Sequence, residues 1–209
     1  MRPSRLVLGA GGAVLGVALW WRRHPSACPY SQRFWVQAPH PIITRGRLVE
    51  ALEPVPGERM LEVGPGTGYY SLDVARAIEP EGALEIFDIQ QEMLDHTLAR
   101  AREAGLTNVS ATQGDATALP FAEDTFDAAF LVTVLGEIPD QDRALAELAR
   151  VLKPTGRLVV GEVLGDPHMV TLATLLRRAE AAGLRLERRV GPRVGYFARL
   201  VPGSGAPTQ

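Results

Sequence analysis

The sequence predicts an α/β protein in which helices cover both faces of a mostly parallel, seven-stranded sheet that ends in an antiparallel C-terminal hairpin. Three observations predict this fold. From residue 58 onward, strand-like and helix-like segments alternate, as they do in parallel sheets. A glycine-rich turn joins the first strand to the first helix. The last two strand-like segments, 184–190 and 195–201, follow each other too closely for an intervening helix, which favours an antiparallel pair.

The individual elements follow from the apolar pattern along the chain. The predicted strands are residues 59–63, 83–89, 109–113, 127–132, 157–162, 184–190 and 195–201. The predicted helices are residues 70–77, 91–104, 141–152 and 171–182. Because ligands bind at the carboxyl ends of the strands in such sheets, we expect the site in the loops that start near residues 64, 88, 115, 133 and 163.

The chain is expected to form one main domain with an N-terminal extension. Its 209 residues suffice for a single well-cored domain and little more. The expected divisions are an apolar segment at 1–24, a cap or linker rich in proline and aromatic residues at 25–55, the main domain at 56–202 and a flexible tail at 203–209.

The composition argues against several classes of protein. The net charge is -2, with 24 acidic and 22 basic residues, so there is no strongly basic field and no nucleic-acid partner is expected. The single cysteine, Cys28, cannot form an intramolecular disulfide or a cysteine zinc cluster, and no metal site is predicted.

Residues 6–21 are uncharged and lie between basic residues, Arg2 and Arg5 before them and Arg22 and Arg23 after them. As a helix they would extend about 24 Å, somewhat less than the roughly 30 Å hydrocarbon core of a membrane. We expect a membrane anchor that either spans the bilayer or lies half-embedded in it. A cleaved signal peptide, or a helix that packs on the domain or on a partner, are the alternatives.

The strongest local motif is Leu-Glu-Val-Gly-Pro-Gly-Thr-Gly at residues 61–68. Here a predicted strand runs into three alternating glycines, Gly64, Gly66 and Gly68, and then into a helix. Glycine allows a sharp turn and the close approach of a ligand, and the start of the helix offers free N–H groups. A tight turn without any ligand is the alternative interpretation.

Two aspartates follow at the ends of the next two predicted strands. Asp88 lies 20 residues beyond Gly68, and its carboxylate can accept hydrogen bonds from the two hydroxyls of a ribose. Asp115, in Gln-Gly-Asp-Ala at residues 113–116, can accept one from the exocyclic amine of adenine. Each aspartate has a structural alternative, as a helix cap or a turn residue.

Together these motifs resemble the class I, Rossmann-like methyltransferases that depend on S-adenosylmethionine, in particular the branch that includes the ubiquinone/menaquinone methyltransferases. The matching segments are Glu-Val-Gly-Pro-Gly-Thr-Gly at 62–68, Asp-Ile-Gln-Gln-Glu-Met-Leu at 88–94, Gly-Asp-Ala-Thr-Ala-Leu-Pro-Phe at 114–121, Phe-Asp at 126–127 and Leu-Lys-Pro-Thr-Gly-Arg-Leu at 152–158. The resemblance covers about residues 45–200, and it is the combination of motifs at these spacings that is specific.

The resemblance implies S-adenosyl-L-methionine as the cofactor and assigns a role to each motif. The glycine loop, with Glu62 before it, would hold the methionine part together with Val132 and Thr133. Asp88 would hold the ribose. The adenine would lie between Ile89 and Met93, with its edge at Asp115 and Ala116.

The expected function is methyl transfer to a small acceptor that is hydrophobic or associated with a membrane. The segment at 131–137 lacks the Asn/Asp-Pro-Pro-aromatic motif that resembles amino-group methylation of adenine or glutamine. A membrane-attached, catalytically silent binding module is the alternative; the intact glycines and both aspartates favour the enzyme. An NAD-type enzyme matches the glycine loop only partially, and Gly-Asp-Ala at 114–116 disfavours it.

A general base is needed only if the acceptor must lose a proton, and His40, Glu137 and His168 are the candidates. Tyr30, Trp35 and Tyr69 are candidates for an apolar acceptor pocket. For all six residues a structural or solvated role is the alternative. The protein is expected to be membrane-associated with its catalytic domain in the cytoplasm, where the cofactor is made.

Overall fold

A computed structural model of the chain describes residues 27–32 and 41–203. The expected anchor at 6–21, the tail beyond residue 203, and the candidates Trp35 and His40 therefore lie outside the described residues. Within the described ranges, no helix is both long enough and apolar enough to cross a membrane.

The described domain is built on one seven-stranded sheet. Its strands are β1 (Arg59–Val63), β2 (Ala83–Asp88), β3 (Val109–Gln113), β4 (Phe126–Val132), β5 (Leu152–Val163), β6 (Leu184–Val190) and β7 (Gly195–Pro202). The strand order is β3-β2-β1-β4-β5-β7-β6. The first five strands pair in parallel, whereas β7 pairs antiparallel with both β5 and β6. The predicted fold class is confirmed.

The helices cover both faces of this sheet. They are α1 (Arg45–Leu52), α2 (Ser71–Ala77), α3 (Gln91–Glu103), α4 (Gln141–Val151) and α5 (Leu172–Ala181). One hydrophobic core contains the buried side chains of α1, α2 and α3, and a second core contains those of α4 and α5. Two short 3-10 turns, Tyr30–Gln32 and Leu135–Glu137, complete the secondary structure of the described ranges.

Helix α1 lies inside the region for which the sequence predicted only a cap or linker. Thr44 caps it, since its side-chain oxygen accepts a hydrogen bond from the backbone N–H of Arg47 at 3.3 Å. Its buried side chains, Leu48, Ala51 and Leu52, pack against β5, β6 and β7. A helix of eight residues is marginal by itself, so tertiary packing rather than local sequence determines it.

Strand β5 begins five residues earlier than predicted. Leu152, which the sequence assigned to the end of a helix, pairs with Phe126 of β4, and a bulge follows before the regular pairing of Arg157 with Ala128. The bulge interrupts the apolar alternation that marks a strand, which explains the late predicted start.

The sheet changes direction of winding between β1 and β4. These strands lie side by side, while the chain moves outward through β2 and β3 on one side and through β5 on the other. The loops that follow β1 and β4 therefore part at the carboxyl edge and leave a crevice, which is where open α/β sheets bind ligands.

Candidate functional site

A cavity of about 310 Å³ opens at this crevice. Nine of the eleven predicted cofactor residues line it: Gly64, Gly66, Asp88, Ile89, Met93, Asp115, Ala116, Val132 and Thr133. Eight of the nine lie at or shortly after the ends of β1 to β4, and Met93 lies in the first turn of α3. The remaining two, Glu62 and Gly68, lie behind the wall.

The glycine loop needs a left-handed backbone at all three of its glycines. The φ angles are +72° at Gly64, +55° at Gly66 and +76° at Gly68. A Cβ on Gly64 would collide with the side chain of Val134, and one on Gly68 would lie 3.0 Å from Thr97 of α3. Gly64 thus allows the loop after β4 to come close, and Gly68 allows α3 to pack, although Gly68 itself does not reach the cavity.

Glu62 is buried in β1, only 2% exposed. Burial raises the pKa of its carboxyl to about 8, so the neutral form predominates at neutral pH. Its Oε2 has no hydrogen-bond partner among the described residues. The predicted role of Glu62 in holding the cofactor stays a prediction, because the side chain is not part of the cavity wall.

Asp88 ends β2 and lines the cavity. Burial raises the pKa of its carboxyl to about 6. One oxygen, Oδ1, accepts a hydrogen bond from the backbone N–H of Gln90 at 2.9 Å, which forms a short turn; the helix cap considered as the structural alternative for Asp88 falls on Gln90. A carboxylate has about four acceptor positions, so this single bond leaves capacity for the two hydroxyls of a ribose.

Asp115 differs from Asp88 in being exposed. Its Oδ1 accepts hydrogen bonds from both the backbone N–H and the hydroxyl of Thr117, each at 2.8 Å. These bonds lower the pKa of the Asp115 carboxyl. A Cβ on the preceding Gly114 would lie 2.6 Å from Phe87, so glycine at that position lets the end of β3 approach the cavity wall.

The rim between these aspartates is apolar. Ile89 is 56% exposed, which is unusual for a large aliphatic side chain, whereas Met93 is buried behind it. Apolar surface at a cavity mouth is stabilised by a ligand that covers it. A carboxylate flanked by an apolar rim, beside a glycine loop, fits a nucleoside that carries an amino-acid tail, as S-adenosylmethionine does.

Thr133 adopts a left-handed conformation, with φ of +57°. That conformation is costly for a β-branched residue and persists only where the surroundings enforce it. Here the backbone N–H of Thr133 donates to the carbonyl of Gly161 on β5 at 2.8 Å, and its hydroxyl donates to the carbonyl of Val132 at 2.7 Å. The strained turn forms the wall opposite Asp88.

Of the two candidate bases that the structure describes, Glu137 and His168, only Glu137 lies at the cavity wall. Burial raises the pKa of its carboxyl to about 7, with a smaller contribution from the negative charge of Asp166. Its Oε2 accepts a hydrogen bond from the backbone N–H of Cys28 at 3.2 Å. His168 does not line the cavity, and its backbone carbonyl packs so closely on Gly136 that a Cβ there would collide with it.

The candidate acceptor residues that the structure describes are not in the cavity wall. The ring of Tyr69 packs edge-on against Tyr70, with centroids 4.8 Å apart, and the Arg45 guanidinium covers it at 4.9 Å. The hydroxyl of Tyr30 lies 3.3 Å from Nδ1 of His96. These aromatic side chains pack on neighbouring elements, and their role in an acceptor pocket stays a prediction.

Several cavity residues were not singled out from the sequence. They are Ala27, Cys28, Val63, Phe87, Gln90, Gly114, Val134, Ile138 and Pro139. Phe87, Gln90 and Gly114 flank the predicted aspartates, so their positions in the motifs were the available indication. Ala27 and Cys28 had none, because only folding brings them to a site more than 100 residues away.

The fold matches solved structures that include a SAM-dependent methyltransferase. A SAM-dependent methyltransferase from Aquifex aeolicus matches with a TM-score of 0.76 and 20% identity, over 83% of this chain and 98% of that one. The [4+2]-cyclase SpnF matches with a TM-score of 0.68 and 25% identity, over 77% and 80% of the respective chains. The architecture is therefore that of the class I, Rossmann-like methyltransferases.

Sequence similarity defines the family within that class. Residues 40–175 match the ubiE/COQ5 methyltransferase family, and the chain belongs to this family. A ubiquinone/menaquinone biosynthesis C-methyltransferase of Teredinibacter turnerae is 41% identical over 108 residues, and one of Vibrio parahaemolyticus is 38% identical over the same length. The match spans 51% of this chain but only 43% and 42% of those two relatives.

Proposed function

We propose that the protein transfers a methyl group from S-adenosylmethionine to a small hydrophobic acceptor of the quinone-precursor type. The observation that carries this proposal is that the glycine loop, Asp88 and the half-buried acid Glu137 all line one cavity. Membership of the ubiE/COQ5 methyltransferase family supports it. The similarity to C-methyltransferases of ubiquinone and menaquinone biosynthesis supports the class of acceptor.

The donor is held by the residues that line the cavity. Asp88 accepts hydrogen bonds from the ribose, Ile89 and Met93 flank the adenine, and Asp115 and Ala116 contact its edge. Gly64, Gly66, Val132 and Thr133 contact the amino-acid end. When bound, the donor supplies a methyl group on a positively charged sulfur, which is already electrophilic. The protein's contribution is to align the acceptor and exclude water.

Glu137 is the base in this proposal. A phenolic ring carbon becomes a stronger nucleophile when the neighbouring hydroxyl loses its proton, and we assign that proton to Oε1 of Glu137, since Oε2 already accepts from Cys28. After methylation the hydrogen of that ring carbon is transferred to the phenolate oxygen, which restores the aromatic ring and the hydroxyl, and Glu137 releases its proton to solvent. A pKa of about 7 suits a base that works near neutral pH. The burial that raises this pKa also keeps water from competing for the proton.

A hydrophobic acceptor is supported by the rest of the wall and by the surface beside it. Val63, Val134 and Ile138 line the cavity. Leu164 and Val194 are 66% and 44% exposed, and a backbone hydrogen bond of 2.7 Å joins them at the carboxyl end of β5. Both lie at the same sheet edge as the cavity.

The proposed location is the cytoplasmic side of a membrane, with residues 6–21 as the attachment. This segment is uncharged and precedes Ala27, which is a cavity residue, by only a few positions. An attached chain would thus receive a lipophilic acceptor close to the site. Fractionation of the full-length protein and of a variant that lacks residues 1–24 tests this location. A full-length, uncleaved protein found wholly in the soluble fraction would contradict it.

The activity is tested with a labelled methyl donor and two acceptor sources, a phenolic quinone precursor with a prenyl tail and a total membrane extract. Label in a lipid-soluble product, with S-adenosylhomocysteine as the second product, is the expected result. Calorimetry with S-adenosylmethionine, S-adenosylhomocysteine and NAD is run in parallel. Binding of NAD in preference to both sulfur ligands would overturn the proposal.

A further inference from the structure

The segment Ala27–Tyr30, here called the strap, crosses the cavity, and two of its residues, Ala27 and Cys28, form part of the wall. Its backbone is held from both sides. From the β2 side, Nε2 of Gln90 donates to the carbonyl of Cys28 at 2.9 Å, and Oε1 of Gln90 accepts from the N–H of Tyr30 at 3.2 Å. From the β4 side, Glu137 accepts from the N–H of Cys28 at 3.2 Å.

The local structure does not account for a glutamine at position 90. Gln90 is the N-cap residue of α3, yet its side chain makes no capping hydrogen bond. Serine, threonine, aspartate and asparagine are the residues that cap helices well. The amide of Gln90 instead pairs with the strap through both its donor and its acceptor, as a neighbouring strand would, and both of these hydrogen bonds are to backbone groups.

Gln90 is also tied to the proposed donor site. Its backbone N–H donates to Oδ1 of Asp88, and only Ile89 separates the two residues. A ligand that engages Asp88 and Ile89 therefore acts on the same short turn that orients the Gln90 side chain. The donor site and the strap therefore both contact the same turn, residues 88–90.

We propose that the strap is a movable wall whose closed position is fixed by Gln90, acting as a positioning residue, so that donor binding and strap closure favour each other. This rests on the proposed function, because it takes the donor to bind at Asp88. Closure and binding are then coupled in both directions: the donor stabilises the closed strap, and the closed strap slows donor release. Opening of the strap uncovers the cavity for exchange.

Cys28 provides a direct probe of this motion. It is the single cysteine of the chain, it is half-buried, and it lies in the strap. Burial raises the pKa of its thiol, with a further contribution from Glu137, so the closed strap is expected to react slowly with a thiol reagent. The reaction rate of the full-length protein with an aromatic disulfide reagent, with and without saturating S-adenosylhomocysteine, reports strap opening.

The expected result is that S-adenosylhomocysteine slows the reaction of Cys28 in the unaltered protein and protects it far less in Gln90→Leu. Because two hydrogen bonds of ordinary net strength are lost, the rate of Gln90→Leu should rise about tenfold. The ligand should also dissociate faster from this variant. Gln91→Leu is the matched control, since Gln91 bonds only to the exposed Asp95 on α3 and should behave like the unaltered protein.

A second variant, Gln90→Glu, keeps the acceptor for Tyr30 but loses the donor to Cys28. Its Cys28 reaction rate should therefore lie between the rates of the unaltered protein and of Gln90→Leu, and it replaces Gln90→Leu if that variant folds poorly. The outcomes separate the two proposals. If S-adenosylhomocysteine does not bind the unaltered protein, the proposed function fails. If it binds but leaves the Cys28 rate unchanged, or protects Gln90→Leu as well as Gln91→Leu, the strap proposal is overturned while the function stands.

Discussion

The two sides of the cavity are held together in different ways. The donor side comprises the glycine loop, Asp88 and Asp115, and the acceptor side comprises Glu137 and the strap. On the donor side, the hydrogen bonds of the two aspartates are local: Asp88 accepts from the N–H of Gln90 and Asp115 from that of Thr117, each two residues further on. On the acceptor side, the contacts join distant parts of the chain: 109 residues separate Cys28 from Glu137. The donor side is thus formed by strands and their own turns, whereas the acceptor side exists only when the strap lies in place. Variants on the two sides should therefore fail in different ways.

The largest effect is expected on the acceptor side, from Glu137→Gln. An amide cannot accept the proton, so kcat should fall by about 10²- to 10⁴-fold, the usual contribution of a general base. Donor affinity should change little, because Glu137 is not among the residues that hold the donor. In the unaltered protein the base must be ionised, so kcat should rise as the pH increases through about 7. Methyl transfer by both proteins is measured from about pH 5.5 to about 8.5. Loss of the rise in kcat near pH 7 in the variant identifies Glu137 as the base.

The next effect is expected on the donor side, from Gly64→Ala. The new Cβ collides with Val134 and sits on a left-handed backbone, so unfolding should become easier by about 2–4 kcal/mol and donor binding should be lost. Gly105→Ala is the matched control, because its φ of +73° equals that of Gly64 but no atom lies within 4 Å of the added Cβ. Urea unfolding of both variants separates the collision from the backbone strain; equal losses would show that the collision is absent.

Glu62, on the donor side, makes the free energy of unfolding depend on pH. Its pKa is raised by burial from 4.5 to about 8, so the folded state binds the proton more tightly than the unfolded state. The stabilising contribution is complete below pH 4.5 and is lost as the pH rises to about 8. Glu62→Gln cannot ionise and should be more stable than the parent by about 4 kcal/mol at pH 8, with no such advantage at pH 4.5. Thermal unfolding at both pH values is the measurement, and a gain of equal size at both would contradict burial as the cause.

Asp88→Ala should weaken S-adenosylhomocysteine binding by about 1–3 kcal/mol, the usual cost of leaving polar ligand groups unpaired. Because the pKa of Asp88 is about 6, affinity in the unaltered protein should fall below that pH, and the variant should lose this dependence. Asp88→Asn keeps an oxygen for the N–H of Gln90 and so preserves the turn. If the asparagine variant binds as tightly as the parent by calorimetry, Asp88 serves the turn and not the ligand.

The same difference between the two sides explains how much of the site the sequence predicts. The residues of the donor side follow directly from the spacing of strands and turns, and nine of them do meet at one cavity. On the acceptor side, the sequence predicts Glu137 and an N-terminal cap at 25–55 that contains the candidate Tyr30, but it does not predict that Ala27 and Cys28 form part of the wall. A contact across 109 residues leaves no periodicity in the sequence, so only the folded structure reveals it.

The fold shows a parallel contrast. All seven strands are predicted, but from different patterns. The buried parallel strands β2 and β4 give apolar runs, whereas the antiparallel strand β6 alternates apolar and charged residues over its first four positions. Helix α1 was missed because eight residues with three buried side chains carry little helical pattern. Because α1 was missed, the packing of Tyr69 was missed as well. The hydroxyl of its neighbour Tyr70 donates to the carbonyl of Ile43 at 2.6 Å, just before α1, so the two rings pack toward α1 and not toward the cavity.

The smallest effect is expected from Asp115→Ala, and it sharpens the comparison within the donor side itself. Asp115 is exposed, and its Oδ1 is already occupied by the two hydrogen bonds from Thr117. A bond to the edge of adenine at such a site is in competition with water, so its loss should reduce donor affinity only about threefold to fivefold. The pKa of Asp115 is lowered by the Thr117 bonds, so it remains ionised where Asp88 becomes protonated. Donor affinity of Asp115→Ala should therefore keep the decrease below pH 6 that Asp88→Ala loses. Calorimetry with S-adenosylhomocysteine at pH 5 and about 8 measures this difference. If Asp115→Ala abolishes the pH dependence as well, the two carboxylates titrate as one unit, and the division of roles between ribose and adenine is wrong.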